Sequence, residues 1–110
     1  MRTLRFIVDG MNIAKDPNCD FSGLVPGPEG YLQAEFSFSR EWDNYAKAAA
    51  FYSPMGREYS PQILSDGRTC VIPAEACKLG SFGVRIFGKN PDGLRLKTNK
   101  TTVCQDGGKA

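Results

Sequence analysis

The stretch YLQAEFSFSREWDNYAKAAAFY, residues 31–52, holds the only tryptophan of the chain, Trp42, and reads as two strands joined by a short turn. In its first half Tyr31, Gln33, Glu35 and Ser37 alternate with Leu32, Ala34, Phe36 and Phe38, mostly polar against apolar with a period of two. In its second half Lys47 leads into Ala48-Ala49-Ala50-Phe51-Tyr52, a more continuous apolar run that suits a more deeply buried strand. Between them, Ser39-Arg40-Glu41-Trp42-Asp43-Asn44 sets turn formers around one indole. Trp42 is expected to close one end of the core, because an indole buries a large apolar area and asks for a single hydrogen-bond partner. A ligand-stacking role would require it to be exposed.

Outward from that stretch the chain keeps the same style. Leu4, Phe6 and Val8 alternate with Thr3, Arg5 and Ile7 in a first strand, Asp9-Gly10 signals a hairpin turn, and Met11–Ala14 supplies the short partner. Lys15 to Gly30 contains three prolines and three glycines, so an irregular loop is expected. Phe21, Leu24 and Val25 would pin it to the core as it crosses between sheets. After the turn Ser53-Pro54-Met55-Gly56, residues 57–64 form a strand interrupted by Pro61, which places it at an edge. Ser65-Asp66-Gly67 turns the chain into a strand over 69–72. Pro73 to Leu79 is the one helical-looking piece, with proline in the first turn and Gly80 as the stop. Phe82 to Lys89 puts Val84 and Ile86 on one face and Arg85, Phe87 and Lys89 on the other. Asn90-Pro91-Asp92-Gly93 then turns into a last strand from Leu94 that runs on through Val103 and Cys104, and residues 106–110 make a flexible tail.

Short strands separated by turns every eight to twelve residues or so mark a sandwich. The expected fold is all-β: one immunoglobulin-like, two-sheet antiparallel β-sandwich over 1–110, with a single helical turn near 73–79. Its core would be built on Phe6, Phe36, Phe38, Trp42, Phe51, Val84 and Ile86. A chain of 110 residues can bury such a core without metal or disulfide staples.

Composition narrows the chemistry. There is no histidine, so the usual general base and triad member is missing, and the twelve carboxylates sit mostly at turns. No phosphate loop, dinucleotide fingerprint or calcium loop occurs. Cys19, Cys70, Cys77 and Cys104 show no metal-ligand spacing and are expected to be buried or half-buried free thiols. The expectation is a non-enzymatic protein with no cofactor. No apolar run reaches the length of a membrane span, and the N-terminus meets Asp9-Gly10 too early for a signal peptide. Synthesis in a cytoplasm is the expectation. Fourteen basic against twelve acidic residues give a net charge of +2, too little to argue for nucleic acid. Arg85, Lys89, Arg95, Lys97 and Lys100 are nevertheless placed to gather on one face of a terminal hairpin. They form either an anion- or partner-binding patch or a solvated face whose lysines discourage edge pairing.

One family resemblance runs along nearly the whole chain. It is carried by Phe6-Ile7-Val8-Asp9-Gly10, Tyr31-Leu32 with Ala34 and Phe36-Ser37-Phe38-Ser39, and Glu41-Trp42-Asp43. It continues through Asp66-Gly67, Cys70-Val71-Ile72-Pro73-Ala74-Glu75, Gly80-Ser81-Phe82-Gly83-Val84 ahead of Gly88, and Thr98-Asn99-Lys100. In these motifs the chain resembles the small β-sandwich domains at the N-terminus of tail and baseplate proteins of phages and prophages of gut Firmicutes, similar to the N-terminal domain of the baseplate upper protein. Each motif is a packing or turn motif. The resemblance implies a virion structural module, a tail or baseplate adaptor or a decoration subunit. Its partners would be other virion proteins and further copies of itself, in a homo-oligomer located in the virion, with no membrane and no nucleic acid. In such family members the domain is followed by linkers, coiled coils or receptor-binding domains, so a chain that ends at Ala110 is expected to act as a free-standing copy. The alternative is a phage-encoded inhibitor of a host defence system that binds a host protein or a nucleotide signal.

Overall fold

The computed structural model describes residues 2–24, 32–78 and 80–105; Val25 to Tyr31, Leu79 and the tail 106–110 lie outside the described residues, with the expectations made for them. The strands are β1 (Arg2–Asp9), β2 (Asn12–Lys15), β3 (Leu32–Phe38), β4 (Ala46–Tyr52), β5 (Gln62–Ile63), β6 (Thr69–Val71), β7 (Ser81–Lys89), β8 (Arg95–Lys97) and β9 (Thr101–Cys104). A single 3-10 turn covers Arg40–Trp42, and one helical turn, α1, covers Ala74–Cys77. Two sheets pack face to face as an all-β sandwich. Sheet A has the order β2-β1-β3-β6; sheet B has the order β5-β4-β7, with β8 and β9 both pairing β7.

The period of two places the core. In β1, Leu4, Phe6 and Val8 are buried while Arg5, Ile7 and Asp9 face out, and Leu32, Ala34 and Phe36 do the same in β3. From sheet B, Ala49, Phe51, Phe82, Val84, Ile86 and Val103 close on them. Phe6 stacks on Phe36 at 5.3 Å and Phe51 meets Phe82 at 6.1 Å. Each such aromatic contributes about 1.5–3 kcal/mol by leaving water. Phe38, expected among the core residues, is only half-buried. It sits at the open end of β3 beneath the Lys47 ammonium, 5.0 Å from its ring centre.

One pairing departs from a wholly antiparallel sandwich: β1 and β3 run parallel, from Arg2 opposite Leu32 to Val8 opposite Phe38. The hairpin partner β2 already occupies one edge of β1 and carries the chain back to its starting end. A strand that enters from that end on the free side of β1 must run parallel to it. The described part of the loop that makes this return, as far as Leu24, is tied down. Arg2 donates to the carbonyls of Asp20 and Ser22 at 2.8 and 2.6 Å, Phe21 packs edge-on against Phe6 at 5.5 Å, and Leu24 is fully buried.

The last strand is also broken. Thr98 interrupts it between β8 and β9: its amide donates to Ile86 O at 3.0 Å, and its hydroxyl accepts the Ile86 amide at 3.0 Å, standing in for a backbone carbonyl. The bulge then links the sheets, because the Asn99 amide donates to Met11 O and its side chain accepts the Ile13 amide. On the opposite side the chain passes from β5 to β6 through the turn at Asp66. The Asp66 carboxylate accepts from the amides of Arg68 and Thr69 and from the Thr69 hydroxyl, at 2.6–2.8 Å. Those donors, the Thr69 hydroxyl foremost, hold its pKa down at about 2.

Candidate functional site

Trp42 is the first residue to place, and it is 0% exposed. Its Nε1 donates to Gly10 O at 2.7 Å, so the one polar atom of the indole is satisfied inside the fold. The ring lies against Gly88, where a Cβ would stand 2.7 Å from Cζ3; the strand can pass the indole only without a side chain. Phe38 and Tyr45 flank it at 5.5 and 6.0 Å. Trp42 is a closure of the core, and no ligand reaches it.

The surface that stands open is the outer face of sheet B. Residues directly opposite in antiparallel strands share a face. The register therefore lays out one row of Ile63, Ala48, Phe87 and Lys97 across β5, β4, β7 and β8. A second row holds Ala46, Lys89 and Arg95. Ala46 and Ala48 are too small to fill their positions, while Ile63 and the stems of the basic residues stand up around them. The result is a solvent-open hollow of about 580 Å³ lined by these side chains. Ile63, at 72% exposed, is its apolar rim, and Phe87 is half-buried in its floor.

The five basic residues singled out in the sequence divide into two groups. Lys100 and Arg85 belong to Tyr52: the Lys100 ammonium lies 4.0 Å from the ring centre and the Arg85 guanidinium 5.8 Å. The Lys100 stem fills the place of a side chain at Gly83, where a Cβ would come within 2.8 Å of it. Burial raises the pKa of the Tyr52 phenol, and the Glu58 carboxylate adds to the shift. Lys89, Arg95 and Lys97 instead surround the hollow. Among the described residues neither ion pair reaches them: both converge on Glu35, from Arg5 at 3.0 Å and Arg68 at 2.8 Å, on the outer face of sheet A. The carboxylate within the β7–β8 hairpin, Asp92, sits at its tip, three residues from Lys89 and three from Arg95.

Other chemistry is sparse. All four cysteines are free; Cys77 is buried and Cys19 and Cys70 are half-buried, but Cys104, against expectation, is exposed on the last strand. Burial pushes the Cys70 thiol up to about 12, with a smaller contribution from Asp66, and burial also raises Cys77. Neither is a thiolate near neutral pH. Among the described residues no group of three His, Cys, Asp or Glu side chains could hold a metal, and no helix is long and apolar enough to cross a membrane. The floor of the hollow was not visible from the chain pattern, where Ala48-Ala49-Ala50 looks uniformly buried. Only the pairing of β4 with β5 and β7 reveals that Ala46 and Ala48 face outward. No known protein family matches the chain, and neither a curated protein nor a solved structure shows similarity to it.

Proposed function

We propose that the chain is a non-enzymatic docking module that works by binding another protein through the outer face of sheet B. The observation that carries this reading is the contiguous apolar row Ile63, Ala48 and Phe87 beside three cations that take part in no ion pair among the described residues. It is the contiguity of the row and its rim of charged side chains, more than any single exposed residue, that suits an interaction surface. The setting we propose for this docking is a phage virion, as a tail or baseplate adaptor or a decoration subunit, and it rests on the resemblance of the packing motifs. Mass spectrometry of purified particles induced from a strain that carries the gene tests the setting. The chain should be found in the particles at a fixed ratio to tail or capsid proteins. Its presence in the cell extract but not in the particles overturns the virion setting.

A further inference from the structure

Resting on the docking reading, we infer that the hollow on sheet B receives an acidic segment of a partner protein, in which one apolar side chain is flanked by carboxylates. The apolar side chain seats over Ala48, between Ile63 and Phe87. The carboxylates meet Lys97 on one row and Lys89 with Arg95 on the next. The hollow, about 580 Å³ and open to solvent, has room for one large side chain and its neighbours to lie in it without being enclosed.

Charge carries the argument further than shape. Lys89 and Arg95 are direct cross-strand partners, and Lys97 follows Arg95 two residues on along the same face. Like charges directly opposite each other disfavour the sheet. Among the described residues no ion pair uses this crowding, and the hairpin is held by its own backbone ladder of β7 with β8. An anion set between the two rows relieves it. Rows on one face lie about 6.6–6.8 Å apart along a strand and neighbouring strands about 4.8 Å apart, so acids next to or two positions from the anchor reach both rows.

The same charges argue against other occupants. A second copy placed face to face would bring two sets of Lys89, Arg95 and Lys97 together. Nucleic acid is held by many phosphate contacts, whereas this face offers three cations around an aliphatic hollow on a chain of net charge +2.

The test is a titration of the isotopically labelled chain with short blocked peptides, followed by amide NMR. The probes are EDFDE, its uncharged counterpart QNFNQ, its anchorless counterpart EDGDE, and a fifteen-nucleotide oligo-dT. EDFDE should shift the amides of residues 46–48, 63, 87–89 and 95–97, with affinity that falls as salt rises. QNFNQ and EDGDE should each bind about tenfold more weakly or worse. The triple variant K89E/R95E/K97E should lose EDFDE and gain the charge-swapped peptide KKFKK, which also shows that the variant is folded. The exposed substitution Ile63→Ser should weaken EDFDE alone. Equal binding of EDFDE and QNFNQ, or shifts confined to other parts of the chain, overturns the inference. Tighter binding of oligo-dT at the same amides replaces it with a nucleic-acid face. The particle experiment fails independently: a chain present in particles that ignores EDFDE keeps the virion setting and loses this occupant. A chain that binds EDFDE but is absent from particles keeps the acidic-segment surface and places its partner outside the virion.

Discussion

The outer faces of the two sheets are made of similar residues arranged differently. On sheet A, Ile7 and Val71 are exposed, but the row Arg5–Glu35–Thr69 lies between the rows that hold them. On sheet B Ile63, Ala48 and Phe87 share one row with Lys97; Lys89 and Arg95 share the next with Ala46, and neither row holds an acid. Sheet A scatters its apolar side chains and neutralises its arginines on one glutamate, which is how a face is kept quiet in water. Sheet B gathers both kinds and leaves them open. The difference comes from register, since a shift of one residue would exchange the inner and outer sets.

The contrast can be broken from the inside first. Phe36→Ala removes the ring on which Phe6 stacks and should cost about 3–5 kcal/mol in urea unfolding, the largest single effect expected. A loss near zero would mean that the inner face of sheet A is not the packed one. Next comes Gly88→Ala, whose new methyl meets Trp42; unfolding should show a loss of about 1–3 kcal/mol. Because that residue faces inward, EDFDE binding by the refolded variant should survive.

The outer faces themselves are separated by a smaller pair of substitutions. Glu35→Gln at neutral pH should cost up to about 1 kcal/mol, because it leaves Arg5 and Arg68 unneutralised. Lys97→Gln should be neutral or slightly stabilising, because it thins a like-charge cluster. The reverse order would erase the distinction between the faces. Hydrogen bonding from Arg5, helped by the charges of Arg5 and Arg68, lowers the Glu35 pKa below its ordinary 4.5. A carboxylate with a depressed folded pKa stabilises the fold above its unfolded pKa. This contribution is therefore complete above about 4.5, is lost as pH falls through the lowered value, and is absent from Glu35→Gln at every pH. The subtlest effect lies at the turn between the sheets. Carbon-detected NMR should find Asp66 titrating at about 2, and Thr69→Val should move it back toward 3.8.

Much of this was readable in the residues. The alternations Leu4-Phe6-Val8 and Leu32-Ala34-Phe36 announced their inner faces, and the turn residues at Asp9-Gly10, Asp66-Gly67 and Asp92-Gly93 marked where strands end. Trp42 could be placed as a core closure because a buried indole needs so little. The direction of β3 was not readable. A period of two is the same in either direction, and the choice is made by which edge of β1 the hairpin with β2 leaves free. The break at Thr98 was hidden for a related reason, since a hydroxyl that replaces a carbonyl in a ladder leaves no periodic trace. For the candidate site the cations were plain in the sequence. The alanine floor was not, because three consecutive alanines carry no alternation to show which of them faces out.

The parallel pairing of β1 with β3 also has a consequence in time. As the chain leaves a ribosome, residues 2–9 have no second neighbour until residues 32–38 follow, and sheet A is complete only once β6 has been made at residue 71. The central strand of sheet B, β7, is made later still. For that interval Leu4, Phe6, Val8 and Phe36 have only the short pair β4 and β5 to cover them, without Phe82, Val84 and Ile86, at the stage when a nascent chain is most open to capture by chaperones or by its neighbours on the same message.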